Sequence, residues 1–251
     1  MPRYFIEVSY RGTNYSGFQI QQNANSIQAE VEKALKIFFK KDFELTGSSR
    51  TDAGVHALQN FFHFDIEEQL NFQNDFQYNL NAILPNDIVI KKIFPVNDNI
   101  HCRFDAVSRE YKYFIHQKKD PFVQDTAFYY PYKLDLNKLN EAAKQIIKYE
   151  DFTSFSKKNT QVKSFLCKVE KSEWNVDEDR ISYSVIANRF LRGMVKGLVG
   201  TMLRVGTNKI SVNDFSKITE NKECSAADFS PPSHGLFLNA VNYTSHFFDI
   251  L

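Results

Sequence analysis

The stretch FELTGSSRTDAGVHALQNFFHFD, residues 43–65, decides how this chain is to be folded. Residues 43–45 and 58–64 are apolar runs. Between them Arg50, Thr51, Asp52 and His56 crowd a guanidinium, a hydroxyl, a carboxylate and an imidazole around Gly54. The pattern predicts two strands joined by a dense polar loop, the kind of place where sites are built. Taken alone the loop has a plain explanation, an Asx-type turn with Gly54 at positive φ. Its meaning depends on what surrounds it.

Upstream, Tyr4, Ile6, Val8 and Tyr10 alternate as a first strand, and Gly12 and Gly17 bracket the loop that follows. Asn25 and Gln28 form a capping-box-like pair ahead of Ile27, Val31, Leu35 and Phe38, which recur at helical spacing. Residues 43–46 and 58–65 supply the second and third strands. Phe76, Leu80 and Ile83 mark a second helix stopped by Pro85, and residues 88–94 read as a fourth strand. The order β-α-β-β-α-β is the split, ferredoxin-like arrangement.

Downstream, Tyr111, Tyr113 and Ile115 share one face of a strand over residues 109–117. Residues 164–174, 181–187 and 236–243 read as further strands. Helices are predicted behind Asp135, carrying Leu136, Leu139, Ala143 and Ile146, and over residues 188–205. The expected fold class is α+β: two ferredoxin-like, RRM-like α/β halves, residues 1–103 and 104–251, joined through a largely continuous antiparallel or mixed sheet with helices packed on it and a cleft between the halves.

Composition narrows the class. A hydrophobic share of 43% with 24% charged residues excludes a disordered chain. Cys102, Cys167 and Cys224 stand far apart without CxxC spacing, which argues against a zinc or iron–sulfur site and for a reducing compartment. No run of about 18 apolar residues occurs, so neither a signal peptide nor a membrane span is expected, and the expected location is the cytoplasm. A net charge of only +1 means that a nucleic-acid partner would be met by segregated patches, such as Lys118–Lys119 or the Arg189, Arg192 and Lys196 set.

In the helix predicted over residues 188–205, Gly193, Gly197 and Gly200 fall on one strip. Each glycine in a helix interior costs about 0.8–1.0 kcal/mol relative to alanine, so the strip implies close approach of another backbone. Lys196 borders it. Two readings stay open for that lysine: it snorkels outward from a tightly packed helix, or it faces a partly buried anion.

No GxxxxGK[ST], GxGxxG, HExxH or GxSxG motif is present, so common cofactor and nucleotide-hydrolysis chemistries lose ground. An aspartate acting as nucleophile must stay ionised, which a nearby cation favours, and must have its target held against it. Lys196 paired with Asp52 would meet the first need. A tyrosine face such as that of Tyr111 would meet the second by stacking on a flat base.

With RTDAGVHA at residues 50–57, the chain resembles the tRNA pseudouridine synthase A (TruA) family. The resemblance continues through GTNYSGFQIQ (12–21), SIQ (26–28), NAILPNDI (81–88), RFDAVSREYKYFI (103–115), DFTSF (151–155) and NRFLRGMVKGLVGTMLRVG (188–206). The motifs run in the family's order and span the chain. What the resemblance implies is an isomerase that converts uridine to pseudouridine in the tRNA anticodon stem-loop, at about positions 38 to 40, on a base taken out of its stack. It implies no metal and no cofactor, and a homodimer that holds one tRNA.

By the same resemblance Asp52 is the catalytic nucleophile, Arg50 displaces the target nucleotide and takes its place, Tyr111 stacks on the flipped uracil, and Lys196 supports the aspartate. Three positions depart from the family pattern. Lys196 stands where arginine is usual, which keeps the charge and loses the bidentate fork. Ser49 replaces a glycine, and Phe18 replaces a tryptophan. His56 is read as a hydrogen-bonding residue that closes the loop rather than as a proton carrier. Two other functions remain for comparison: a catalytically silent RNA-binding protein of the same fold, and a retaining glycosidase, which would need a second carboxylate about 5–5.5 Å from Asp52.

Overall fold

The computed structural model describes residues 1–67, 70, 75–158, 160, 162–177 and 180–244. Among these it has five α-helices and nine strands, an α+β fold as expected, and no helix long and apolar enough to cross a membrane. The chain divides into two compact units, one of Met1–Val107 together with the described residues from Leu238 on, the other Ser108–Phe237. The sequence reading places its boundary at 103/104 and keeps everything after it in the second half.

The first unit runs β1 (Arg3–Tyr10), α1 (Ile27–Phe39), β2 (Thr46–Gly47), β3 (His56–Asp65), α2 (Phe76–Ile83) and β4 (Ile88–Val96). β1 lies between β4 and β3, antiparallel to both, and β2 pairs antiparallel with β3 at Thr46↔His63 and Gly47↔Phe62. This is the ordering a split β-α-β crossover produces. An interior strand is covered on both faces, and β1 shows it: Tyr4, Phe5, Ile6, Val8 and Tyr10 are all buried. The Phe5 ring packs against Phe61, Phe94 and Tyr243.

Three local expectations need correction. Ser26, not Asn25, caps α1, its Oγ accepting from Ala29 N–H at 3.3 Å. That shift frees Gln28 to reach the Leu45 carbonyl (2.8 Å), while Glu32 accepts the Leu45 N–H (3.0 Å). The second strand, expected over residues 43–46, therefore pairs only at Thr46–Gly47, because side chains of α1 have captured the backbone of Leu45. The third strand conversely starts earlier, at His56.

The second unit runs β5 (Ser108–His116), β6 (Phe128–Tyr129), α3 (Leu136–Ile146), β7 (Val169–Asp177), β8 (Arg180–Ala187), α4 (Met194–Gly206) and α5 (Val212–Glu220). β5 and β7 flank β8, antiparallel to it, and β6 adds to β5 in parallel, so the pairing is mixed. The strand expected over residues 164–174 is shifted to 169–177, and α4 begins at Met194 rather than near residue 188. The helix α5 is not anticipated above, although its capping box, Ser211 with Asp214, is written in the sequence. The last strand, β9 (Leu236–Asn242), neighbours β3, and its Val241 N–H donates to the Gln59 side chain at 3.1 Å.

His63 of β3 links packing to pH. It is buried, and its Nδ1 accepts the Cys102 N–H at 3.3 Å. Burial, with Arg3 nearby, lowers its pKa from 6.5 to about 4. Between these values the unfolded chain takes up a proton that the folded one refuses, so stability falls as pH falls through the window and is fully present above it. A shift of this size corresponds at most to about 3 kcal/mol, and to less once solvent screening of the imidazole is counted. Urea unfolding at pH 7.5 and pH 4.5 should show the loss, and His63→Gln should flatten it.

Candidate active site

The loop after β2 is held from beneath. Ser48 N–H donates to the Phe61 carbonyl at 2.8 Å. The buried Asn60 side chain clasps the backbone of Ser49 from both sides, accepting its N–H (3.3 Å) and donating to its carbonyl (2.8 Å). The same amide donates to the Tyr10 hydroxyl oxygen (3.2 Å), which lies 2.8 Å from Thr51 Oγ1. Burial raises the pKa of the Tyr10 phenol, against the opposing effect of those two bonds, so it stays a neutral link. Above this buried chain Arg50 and Asp52 stand exposed on the rim.

From the other side the loop is clamped by the glycine-bracketed segment after β1. Gly17, at φ +124°, makes an antiparallel bridge with Asp52, and Phe18 N–H donates to the Thr51 carbonyl at 3.1 Å. Gly54, at φ +77°, donates to the Tyr15 carbonyl, and Gly12 N–H donates to His56 Nδ1 at 3.1 Å. The clamp is itself seated on the start of α1, whose Ile27 and Gln28 N–H groups donate to the carbonyls of Gly17 and Phe18. Tyr15 completes it, its hydroxyl donating to Asp87 at 2.5 Å. Asp52 thus sits on a backbone fixed by two strands and a helix, the condition for a preorganised side chain.

His56 is fully buried and accepts through Nδ1, so it carries its proton on Nε2 and closes the loop structurally, as read from the sequence. Phe18 stacks on Phe62 (centroids 4.5 Å apart, planes at 12°) in space left by Gly47, where a Cβ would stand 2.2 Å from the Phe18 ring. Ser49 is buried and its Oγ has no hydrogen-bond partner among the described residues. Sequence reasoning missed Tyr10 and Asn60, and it saw the 12–17 loop without linking it to Asp52. Only Gly12 and Gly17 offered a signal.

The other two candidates lie in the second unit. Tyr111 is buried on β5 opposite Val185, with its ring edge-on to Phe190 at 4.9 Å. Lys196, in the first turn of α4, is half-buried, and its Nζ donates to Ser233 Oγ at 3.4 Å. The glycine strip beside it is confirmed in part. A Cβ on Gly200 would lie 2.1 Å from the Asp228 carbonyl oxygen, and one on Gly197 would lie 3.0 Å from the Phe229 ring. Gly193, however, is not in the helix interior: it is the N-cap, with φ +75°.

Among the described residues one group of metal-ligating side chains converges, His63, His101 and Cys102, with donor atoms within 4.8 Å of one another. Three donor atoms of the group are engaged otherwise. His63 Nδ1 and His101 Nδ1 accept backbone N–H groups, Cys102 Sγ donates to the Thr46 carbonyl, and burial, with the charge of Arg3 after it, lowers the pKa of both imidazoles. The group reads as packing at the end of β3.

An exposed carboxylate on a rigid rim, with a guanidinium two residues before it, can attack or abstract where a substrate is pressed onto it. The family described as tRNA pseudouridine synthase matches residues 6–105 and 142–244 of this chain. The chain is 45% identical over 248 residues to a tRNA pseudouridine synthase A of Bacteroides fragilis, covering 98% of each. It is 43% identical over 248 residues to one of Azobacteroides pseudotrichonymphae, covering 99% of each. To one of Staphylococcus aureus it is 38% identical over 241 residues, 95% of this chain and 91% of the relative.

Proposed function

Because this chain belongs to the tRNA pseudouridine synthase family, we propose that it isomerises uridine to pseudouridine in the anticodon stem-loop of tRNA, with Asp52 as the nucleophile. The observation that carries the assignment is the mounting of Asp52: an exposed carboxylate on a loop whose neighbours Thr51 and Val55 are buried and whose backbone is bonded on both sides. The isomerisation breaks the bond from C1′ to N1, forms one from C1′ to C5, and gives up a proton from C5 while N1 takes one up. Atoms and electrons balance without oxidant, metal or cofactor.

Arg50, exposed on the same rim, is assigned the place vacated by the target base, and Tyr111 the stacking on that base. The reading includes a homodimer acting in the cytoplasm. Lys196 is assigned the positive charge that supports the Asp52 carboxylate. Lys196→Ala should lower kcat by about 10²–10³-fold, the usual effect of removing one stabilising group from a site. Lys196→Arg should restore most of it, since charge rather than the ammonium itself is required; an arginine variant as slow as the alanine one would remove this role.

The deciding experiment is tritium release from tRNA carrying 5-³H-uridine. Isomerisation exchanges the C5 hydrogen and releases the label, whereas a silent RNA-binding protein of the same fold releases none.

A further inference from the structure

In the second unit a cavity of about 150 Å³ opens between the segment after β6 and the last turns of α4. We propose that it is a subsite for an unpaired nucleotide of the RNA other than the uridine to be isomerised, held by stacking on Tyr132 and by phosphate contact with Arg204 and Lys209. The inference rests on the reading that this protein acts on tRNA.

Three aromatic rings make one wall. Phe128 and Tyr130 lie 5.4 Å apart and Tyr130 and Tyr132 5.0 Å apart, each pair tilted or edge-on rather than stacked. Tyr132 is 58% exposed, yet its backbone is pinned, its carbonyl accepting from Gln117 Nε2 at 2.6 Å. An exposed ring at the mouth of a cavity is a stacking platform for a planar base. The volume is below the roughly 300 Å³ at which pockets for larger ligands begin, which suits a single planar base.

Cations make the other wall. Arg204 and Lys209 are held together, the Lys209 N–H donating to the Arg204 carbonyl at 2.9 Å, and Lys209 Nζ stands 5.8 Å from the centre of the Tyr132 ring. Neither has an ion-pair partner among the described residues. A position at a helix C-terminus accounts for a cation at Arg204. It does not account for three rings gathered opposite. Asp228, the one acid lining the cavity, uses Oδ1 to cap the Ser230 N–H and is a further acceptor for a base's amino or imino hydrogens.

The cavity is not where the base stacked on Tyr111 would lie. β6 joins β5 at Ile115, four residues beyond Tyr111 and so about 13 Å along the strand.

The test compares Tyr132→Ala, Tyr132→Phe and Lys209→Gln with the parent protein on full-length tRNA, by filter binding over a salt series and by tritium release. Tyr132→Ala should weaken binding and raise KM about tenfold or more with kcat unchanged. Tyr132→Phe should match the parent. Lys209→Gln should reduce the slope of log affinity against log salt by about one. Tyr132→Ala within twofold of the parent in a protein that binds and turns over tRNA would overturn the subsite alone, as would a phenylalanine variant as weak as the alanine one. A parent protein that neither binds tRNA nor releases tritium would overturn the functional reading and the subsite with it.

Discussion

Asp52→Asn protein should release tritium at least about 10⁴-fold more slowly than the parent, the scale on which removal of a nucleophile acts. It should still bind tRNA within a few-fold. Asparagine has the shape of aspartate and lacks only the charge, and Asp52 stands on the exposed rim while the buried Tyr10, Asn60 and Thr51 hold the loop from below. The backbone bonds of residue 52, its bridge to Gly17 and its carbonyl's acceptance of the Val55 N–H, do not involve the side chain. Release at the parent rate would remove Asp52 from the chemistry, and loss of tRNA binding together with turnover would leave it a binding residue only.

The second large effect concerns a residue without chemistry. A Cβ added to Gly12 would stand 2.0 Å from the carbonyl oxygen and 2.7 Å from the carbonyl carbon of Val55. Both are backbone atoms on a loop anchored at either end, so no side chain can swing aside. Gly12→Ala must push the segment after β1 away from the Asp52 loop, and with it goes the bond from Gly12 N–H to His56. Overpacking together with an orphaned buried imidazole acceptor should cost about 3 kcal/mol or more. For a chain of this size that lowers the melting temperature by roughly 6–12 °C. Activity should fall even at temperatures where the variant remains folded, because the rim carrying Asp52 moves. A melting temperature within about 2 °C of the parent would show that the two segments separate freely, and the account of a preorganised loop would fail.

These two residues mark the limits of what could be read in advance. The loop carrying Asp52 was legible because its polar cluster is local: a carboxylate, an arginine and a glycine within five residues, between two apolar runs. Tyr10 and Asn60 were not. Each looks like an ordinary strand residue, and their joint role exists only because the antiparallel pairing of β1 and β3 brings residues 50 apart in sequence within 3.2 Å. Gly12 announced a turn, but not that the turn would press against Val55.

The same division runs through the fold. Period-two and helical alternation sufficed for the β-α-β-β-α-β order of the first unit, because burial on one face leaves its mark on every second or every third-to-fourth residue. Element ends were set by contacts that no period records. Leu45 failed to extend β2 because Gln28 and Glu32 of α1 took its backbone groups, and α4 starts at Met194 because Gly193 adopts a left-handed φ in front of it. The glycines beside Lys196 called for a close neighbour, and only tertiary structure identified it as the segment at Asp228 and Phe229. By itself the sequence determined the strand and helix order of the first unit, the reaction class implied by its motifs and the loop on which the carboxylate rides. Tertiary structure decided what makes that loop rigid, since hydrogen bonds between distant segments depend on chain pairing in space, which local residue patterns do not encode.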